Sequence, residues 1–341
     1  MTRKYRIAVL GAAGAVGTEM IKVLAERDFP VKSLTLLATE RSAGKSVRFN
    51  AERVTIKKAS RKSFQNIDIA LFSAGSKASK LYAPIAIKDG AVVIDNSSAF
   101  RMDAHVPLVV PEVNPDELAK HKGIIANPNC STIQLVVALK PIYDLCGISR
   151  IIVSTYQAVS GTGTDAIREL RAQSRAVVNH KKLKRRVYPH QIAFNILPQI
   201  AQFEETGYST EEMKLVHETS KILNDQHLAI TATTARVPVF IGHCESVYIE
   251  TRRKISINRL RTILHNSPGI KLVDDIRNNK YPLPIMSEMY DEVMVGRIRR
   301  DLAAEKGINM WIVANNLRKG AALNAVQIAE KLIAYKGNLP R

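Results

Sequence analysis

Cys130 stands between an Asn-Pro-Asn turn and an apolar run, in IIANPNCSTIQ (residues 124–134). The run STIQLVVALKPIYDL reads as a helix, which puts Cys130 at or near its N-cap. The first amides of a helix lack intrahelical partners, and the helix dipole favours negative charge there. A free thiol titrates near ~8.5, and such a position lowers it by about a unit or more. The same amides can bind the oxyanion formed when sulfur attacks a carbonyl. These features read Cys130 as a nucleophile rather than a small buried apolar side chain. Cys146 falls at a helix end and reads as structural. Cys244 adjoins His243, but neighbours on a strand point to opposite faces, which takes Cys244 out of a site containing His243. A thiolate also needs a base and substrate anchors. The eight histidines do not identify that base by spacing.

A second chemical signal is GAAGAVG, in which Gly11, Gly14 and Gly17 follow a strand and open a helix. Glycine permits the tight turn and close approach of a pyrophosphate, which the helix N-terminus then binds. The spacing is GxxGxxG rather than GxGxxG, so its strand-to-helix context carries much of the argument. After the next strand comes ATERSAGK (38–45). An acid there holds the ribose 2′-hydroxyl of NAD, and Glu40 is the candidate. Arg41 and Ser42 suit a 2′-phosphate instead and favour NADP, with Glu40 turned away. A cysteine beside a nicotinamide site suggests a thiohemiacetal route to hydride transfer, with the substrate unnamed.

These groups must be held by two kinds of scaffold. Strands at 6–10, 33–39, 66–76, 91–100 and 123–129 alternate with helical patterns, which implies a parallel, doubly wound α/β sheet. After Pro128 the texture changes. Long strand candidates at 150–161, 229–240, 245–251, 293–301 and 308–316 have few crossover helices between them. They imply a second, α+β domain with a mixed or antiparallel sheet. The last helix carries a stripe of Leu323, Val326, Ala329 and Ile333 that must pack on something. The expected division is a dinucleotide-binding domain over 1–127, to which a C-terminal helix in 316–341 returns, and a catalytic and dimerisation domain over 128–315.

At 341 residues the chain has room for two cores. No apolar stretch approaches the ~20 residues of a membrane helix, and the N-terminus lacks the pattern of a signal peptide. Three widely spaced cysteines argue against a disulfide framework and against a zinc site, so no metal and a reducing cytoplasm are expected. The formal charge of +19 and pI near 9.9 raise nucleic-acid binding. The basic residues are dispersed, however, and the densest run, HKKLKRR (180–186), has no interleaved aromatics. It reads as a solvated basic surface whose field attracts anionic substrates and cofactors.

Taken in order, GAAGAVG, DNSSAFR, VPEVNP, NPNCST, YQAVSGTG, EEMK followed by ET, ARVPVFIGHCE, VGRIRRD and NNLRKGAALNAVQIAE resemble the aspartate-β-semialdehyde dehydrogenase family. The resemblance runs from about residue 5 to residue 333. It implies NADPH-dependent reductive dephosphorylation of L-aspartyl-4-phosphate to L-aspartate 4-semialdehyde and phosphate. That reaction feeds lysine, methionine, threonine and diaminopimelate synthesis. The resemblance assigns Cys130 as nucleophile and His243 as the acid–base group. It implies that Gln157 holds the acyl-enzyme, Arg236 the α-carboxylate and Glu212 the α-ammonium. Arg101 and Lys214 take the phosphate. Gly11, Ala13, Gly14, Ala15, Val16, Arg41, Ser42, Ser160, Gly161 and Asn316 line NADP. Homodimers are usual in the family, and some members are tetramers.

The nearest rivals are other cysteine-using acyl-phosphate reductases, such as N-acetyl-γ-glutamyl-phosphate reductase or glyceraldehyde-3-phosphate dehydrogenase. EEMK and ARVPVFIGH favour the aspartyl enzyme. From another class, the chain could be a basic nucleic-acid-binding protein on a reductase scaffold; such a protein would show salt-sensitive DNA or RNA binding.

Overall fold

The computed structural model of the protein describes residues 3–335. They divide into two compact units, with breaks after Asn129 and after Gly320. The ends of the expected first domain, residues 1–2 and 336–341, lie outside the described residues.

The first unit begins with β1 (Tyr5–Leu10), α1 (Ala15–Glu26), β2 (Val31–Ala38), β3 (Ser46–Phe49), β4 (Glu52–Lys58), β5 (Ile69–Phe72), α2 (Ser76–Lys88), β6 (Val92–Asp95) and β7 (Ile124–Ala126). The strands form one seven-stranded sheet in the order β3-β4-β2-β1-β5-β6-β7. All the pairings are parallel except the β3–β4 hairpin. Strands β5 and β6 are buried throughout, as continuous apolar runs inside a parallel sheet must be. The hairpin lies outside the elements expected from the sequence, because its polar residues alternate with only a few apolar ones at the sheet edge. After β1 the chain moves first to β2 on one side and later to β5 on the other. The glycine turn therefore leaves the carboxyl end of β1 at the switch point, where doubly wound sheets bind ligands.

The second unit contains α3 (Cys130–Cys146), β8 (Ile148–Gln157), α4 (Thr164–Val178), α5 (Thr210–Leu223), β9 (Ala229–Arg236), β10 (His243–Thr251), α6 (Ile257–Asn266), β11 (Ile270–Leu272), β12 (Val293–Arg300) and β13 (Gly307–Ala314). Its six-stranded sheet runs β11-β12-β13-β10-β8-β9. The outer pairs β11–β12 and β8–β9 are parallel and the three inner pairs antiparallel, so the sheet is mixed. The strand expected over 150–161 ends at Gln157, because residues 159–162 close a tight turn. The strand expected over 229–240 ends at Arg236, two residues before Pro238, whose missing N–H cannot extend a ladder. Helix α3 packs on one face of the sheet against β10 and β13, and on α5 and α6.

The chain then closes the first unit with α7 (Leu323–Ala334). Its stripe of Leu323, Val326, Ala329 and Leu332 is buried in one core with Met20, Ile21 and Leu24 of α1. Asn324 Nδ2 donates to Val109 O at 3.1 Å and to Asn127 Oδ1 at 2.7 Å, and Arg27 forms two bonds to Glu330 at 2.6 and 2.8 Å. The returning segment starts at Ala321 rather than at the expected residue 316. The reason is Asn316, whose side chain is tied to Gly242 and Ser160 inside the second unit.

Candidate functional site

Sheet register assembles the centre of the site. The end of β8 lies beside the end of β9, with Gln157 opposite Arg236. On the other side of β8, Cys244 pairs with Tyr156, which sets His243 opposite Gln157. His243, Gln157 and Arg236 therefore form a row across three neighbouring strands, on one face of the sheet. All three are buried. The next row inward on that face is Glu245, Thr155 and Thr234, also buried.

One backbone residue clamps two members of the outer row. The Ala158 N–H donates to His243 Nδ1 at 3.1 Å, and the Ala158 carbonyl accepts from Arg236 Nη1 at 2.7 Å. Because Nδ1 accepts, the proton of the neutral imidazole is on Nε2, which has no partner within the structure. Burial drives the imidazole from its ordinary value of 6.5 down to about 3; the nearby Arg236 charge adds to this and Glu211 opposes it. His243 is thus a neutral ring with a single unpartnered donor at neutral pH. Arg236 likewise keeps Nε buried and unpartnered. It forms part of the wall of a cavity of about 510 Å³, which Thr162, Tyr188 and Leu197 also line.

The acidic residue of this cluster is Glu211, not Glu212. Glu211 Oε1 accepts from Gln157 Nε2 at 3.1 Å, and Oε2 accepts from Lys214 Nζ at 2.9 Å. The expected Glu212 has a structural use for both its oxygens. Oε2 accepts from the Ser209 N–H at 2.6 Å, closing a capping box at the start of α5. Oε1 accepts from the Thr234 N–H at 2.8 Å. The signal was in the spacing: residues 211 and 214 are three apart and share a helix face, whereas 212 and 214 are two apart and do not.

Cys130 is the first residue of α3 and is partly exposed. A Cβ built on Gly320 would come within 2.9 Å of the Cys130 Cβ. The Gly320 N–H donates to Asn315 O at 3.0 Å, and Asn315 follows Ala314, the residue opposite His243 on β13. The other two thiols are buried. Burial pushes Cys146 up and pushes Cys244 up to about 12, which makes both inert.

Three residues expected at the cofactor belong to this unit. A Cβ on Gly161 would lie 3.0 Å from Arg236 Nη1 and 3.2 Å from His243 Nε2, so glycine lets this turn pass over both groups. Asn316 Oδ1 accepts from the Gly242 N–H at 2.9 Å, and its Nδ2 donates to Ser160 Oγ at 2.9 Å. This pair fixes the residue before His243.

The first unit holds the other expected groups. Gly11 has φ +93°, and an added Cβ would strike Ser73 at 2.8 Å. A Cβ on Gly17 would lie 2.1 Å from Gly11 O. No side chain caps α1 and no acid occupies its first turn, so the Ala15 and Val16 amides stay available to an anion, while the Gly14 N–H closes the turn on Gly11 O at 3.0 Å. This turn fits a dinucleotide pyrophosphate. Arg41 and Ser42 lie in a short turn after β2, where the exposed Glu40 pairs with Lys58 at 2.8 Å. Arg101 is buried, with Nε donating to Asn127 O at 2.9 Å and Nη2 to Asn96 O at 2.8 Å. Among the described residues no histidine, cysteine and carboxylate cluster is able to hold a metal ion. No helix among them is long and apolar enough to cross a membrane.

Comparison with known proteins adds a family to this geometry. Residues 6–121 match the semialdehyde dehydrogenase NAD-binding domain, and residues 139–319 match the semialdehyde dehydrogenase dimerisation domain. The chain is 56% identical over 333 residues to an aspartate-semialdehyde dehydrogenase of Aquifex aeolicus, covering 96% of this chain and 98% of that protein. It is 49% identical over 340 residues to that of Bacillus subtilis, covering 97% and 98%. The crystal structure of aspartate semialdehyde dehydrogenase II from Vibrio cholerae complexed with ASA superposes with a TM-score of 0.96 at 48% identity, covering 98% of this chain and all of that one.

Proposed function

Because the chain belongs to the aspartate-semialdehyde dehydrogenase family, we propose that it reduces L-aspartyl-4-phosphate to L-aspartate 4-semialdehyde, releasing phosphate. The observation that carries this reading is the His243–Gln157–Arg236 row, with Glu211 and Lys214 hydrogen-bonded in sequence beside Gln157. It offers a cation for an α-carboxylate, an anion for an α-ammonium and a proton donor, all in the unit that begins at Cys130.

In this mechanism the Cys130 thiolate, favoured at the helix N-terminus, attacks the C4 carbonyl and expels phosphate, leaving a thioester. Lys214 and Arg101 offset the charge of the leaving group. Arg236 binds the α-carboxylate through its uncommitted donors, for which a planar guanidinium is well shaped. Glu211 takes the α-ammonium. Gln157, oriented through Thr155 Oγ1 at 3.1 Å, holds the thioester in place. The nicotinamide cofactor supplies the hydride when bound. His243 gives a hydrogen bond from Nε2 to the departing sulfur as the carbon–sulfur bond breaks, and the thiolate is regenerated. Its Nδ1 is occupied by the Ala158 N–H, so it serves as a neutral hydrogen-bond donor rather than as one half of a thiolate–imidazolium pair.

The cofactor we propose is NADP. Glu40 is drawn to Lys58, which leaves Arg41 and Ser42 to meet a 2′-phosphate. The second unit forms the homodimer, in keeping with the dimerisation domain it matches. Three free cysteines suit the reducing cytoplasm of a biosynthetic enzyme. The test is phosphate-dependent reduction of NADP with L-aspartate 4-semialdehyde, run beside N-acetyl-glutamate semialdehyde and glyceraldehyde 3-phosphate. Activity confined to the first aldehyde, and lost in Cys130→Ser with dinucleotide binding intact, is expected. Preference for another aldehyde would reject the assignment.

A further inference from the structure

The row behind the site contains a carboxyl group that the chemistry above does not use. Glu245 is two residues along β10 from His243 and on the same face. It is fully buried. Its neighbours across the sheet are Thr155 and Ile312, and neither carries charge. The polar group against it is the Gln134 carboxamide of α3, itself fully buried. None of the four side-chain nitrogen and oxygen atoms of Glu245 and Gln134 has a hydrogen-bond partner in the structure, so both side chains are buried with their polar atoms unsatisfied. No ammonium or guanidinium pairs with Glu245 among the described residues. Gln134 is four positions after Cys130, one turn further along the same stripe of α3. A single carboxyl–carboxamide contact therefore joins the strand that carries His243 to the helix that carries Cys130.

We propose that Glu245 is a positioning residue that keeps its proton and closes a two-bond clasp with Gln134, fixing the N-terminal turn of α3 and with it the Cys130 sulfur. The carboxylic O–H donates to Gln134 Oε1, and Gln134 Nε2 donates to the carboxyl carbonyl oxygen. Only the protonated acid satisfies both partners. The ionised form would leave Gln134 Oε1 without a donor and place an unpaired charge in an apolar layer, which is far costlier. A carboxylate there would also face Cys130 from α3 and His243 from its own strand, raising the thiol's affinity for a proton. Burial, only partly opposed by the neighbouring Gln134 amide, holds the carboxyl well above its ordinary value, in the same sense.

The inference rests on the proposed reaction, so its test uses readouts that do not need turnover. The full-length protein is examined by infrared difference spectroscopy for a protonated carboxyl, and the pH midpoint of Cys130 alkylation by iodoacetamide is measured. Glu245→Gln keeps a clasp of the same shape. It should remove the carboxylic-acid band, hold kcat within about threefold and leave the alkylation midpoint in place. Glu245→Leu should lower kcat by roughly 10- to 100-fold with little change in KM, the scale on which a displaced reacting group acts, and shift the midpoint. The exchanged pair Gln134→Glu with Glu245→Gln should restore both quantities and the band, which keeps the test decisive if Glu245→Leu fails to fold. A wild type without the carboxylic-acid band, or a midpoint that falls by a unit in Glu245→Gln, would overturn the protonated clasp. Wild-type kcat and midpoint in Glu245→Leu would overturn the positioning role. Absence of turnover in a wild type that shows the band and the expected midpoint would count against the proposed reaction instead.

Discussion

Two adjacent glutamates at the start of α5 should respond oppositely to loss of the carboxylate. Glu211→Gln removes the charge opposite the substrate ammonium while leaving an amide oxygen able to accept from Gln157. A buried charge-assisted hydrogen bond contributes about 1.5–3 kcal/mol, so kcat/KM should fall by roughly 10- to 150-fold. The bond from Lys214 is partly exposed and contributes little to stability, so the melting temperature should hardly change. Glu212→Ala leaves the N–H groups of Ser209 and Thr234 without their acceptor. Loss of the capping box costs about 1 kcal/mol and the second orphaned amide about 1–3 kcal/mol. For a unit of this size each kcal/mol lowers the midpoint by about 2–4 °C, which predicts a drop of roughly 4–16 °C. Calorimetry and steady-state kinetics below the transition separate the two effects. If Glu212→Ala raises KM for the aldehyde while the fold stays intact, and Glu211→Gln does not, the two roles are reversed.

Gly161→Ala should reduce kcat/KM by about 10- to 100-fold with little loss of stability, since the new methyl group presses on Arg236 Nη1 and His243 Nε2 at 3.0 and 3.2 Å. Arg41→Ala should weaken NADP binding by roughly 10- to 100-fold and leave NAD almost unchanged, measured by nicotinamide fluorescence; equal losses for both would exclude a contact to the 2′-phosphate. His243 titrates near 6.5 when unfolded and about 3 when folded, so on acidification the unfolded state binds its proton first. Its contribution is whole above pH 6.5 and lost progressively as pH falls toward 3, an order-of-magnitude effect of a few kcal/mol. Chemical denaturation of His243→Gln across that range should show a shallower acid loss than the wild type.

Sequence revealed this site in proportion to how local each signal was. The glycine turn is local: the left-handed φ of Gly11 and the missing cap of α1 follow from GAAGAVG alone. Cys130 is local too, because its place at the start of α3 follows from NPNC before an apolar run. The hairpin of β3 and β4 escaped because it sits at a sheet edge, where packing asks little of its residues. The expected Glu212 gives way to Glu211 in the hydrogen-bonded cluster, a choice that helical spacing to Lys214 contains and the resemblance to the family does not. What no local pattern contains is the register of β8 with β9 and β10. That register alone brings Gln157, Arg236 and His243 into one row. Nor does sequence show that the Ala158 backbone fixes the proton of His243 on Nε2. Backbone amides have no identity to read.

Glu245 is an intermediate case. Strand alternation in HCESVYIE places it on the same face as Val247 and Ile249, and both are buried. An acid in phase with two core aliphatics breaks the pattern, and so does Gln134 in the middle of CSTIQLVVAL. Each irregularity by itself has many explanations. Together they lie on the two elements that carry the imidazole and the sulfur, each a short step from the reactive residue. A polar pair in that position stabilises the core less than two aliphatic side chains would. What the proposed clasp adds is direction: its two hydrogen bonds would fix the rotation and depth of α3 against β10, whereas aliphatic packing tolerates sliding. An aliphatic pair at 134 and 245 should give a protein at least as stable as the wild type whose Cys130 is more loosely held. Such a variant would melt higher, and its kcat would fall while KM stayed in place.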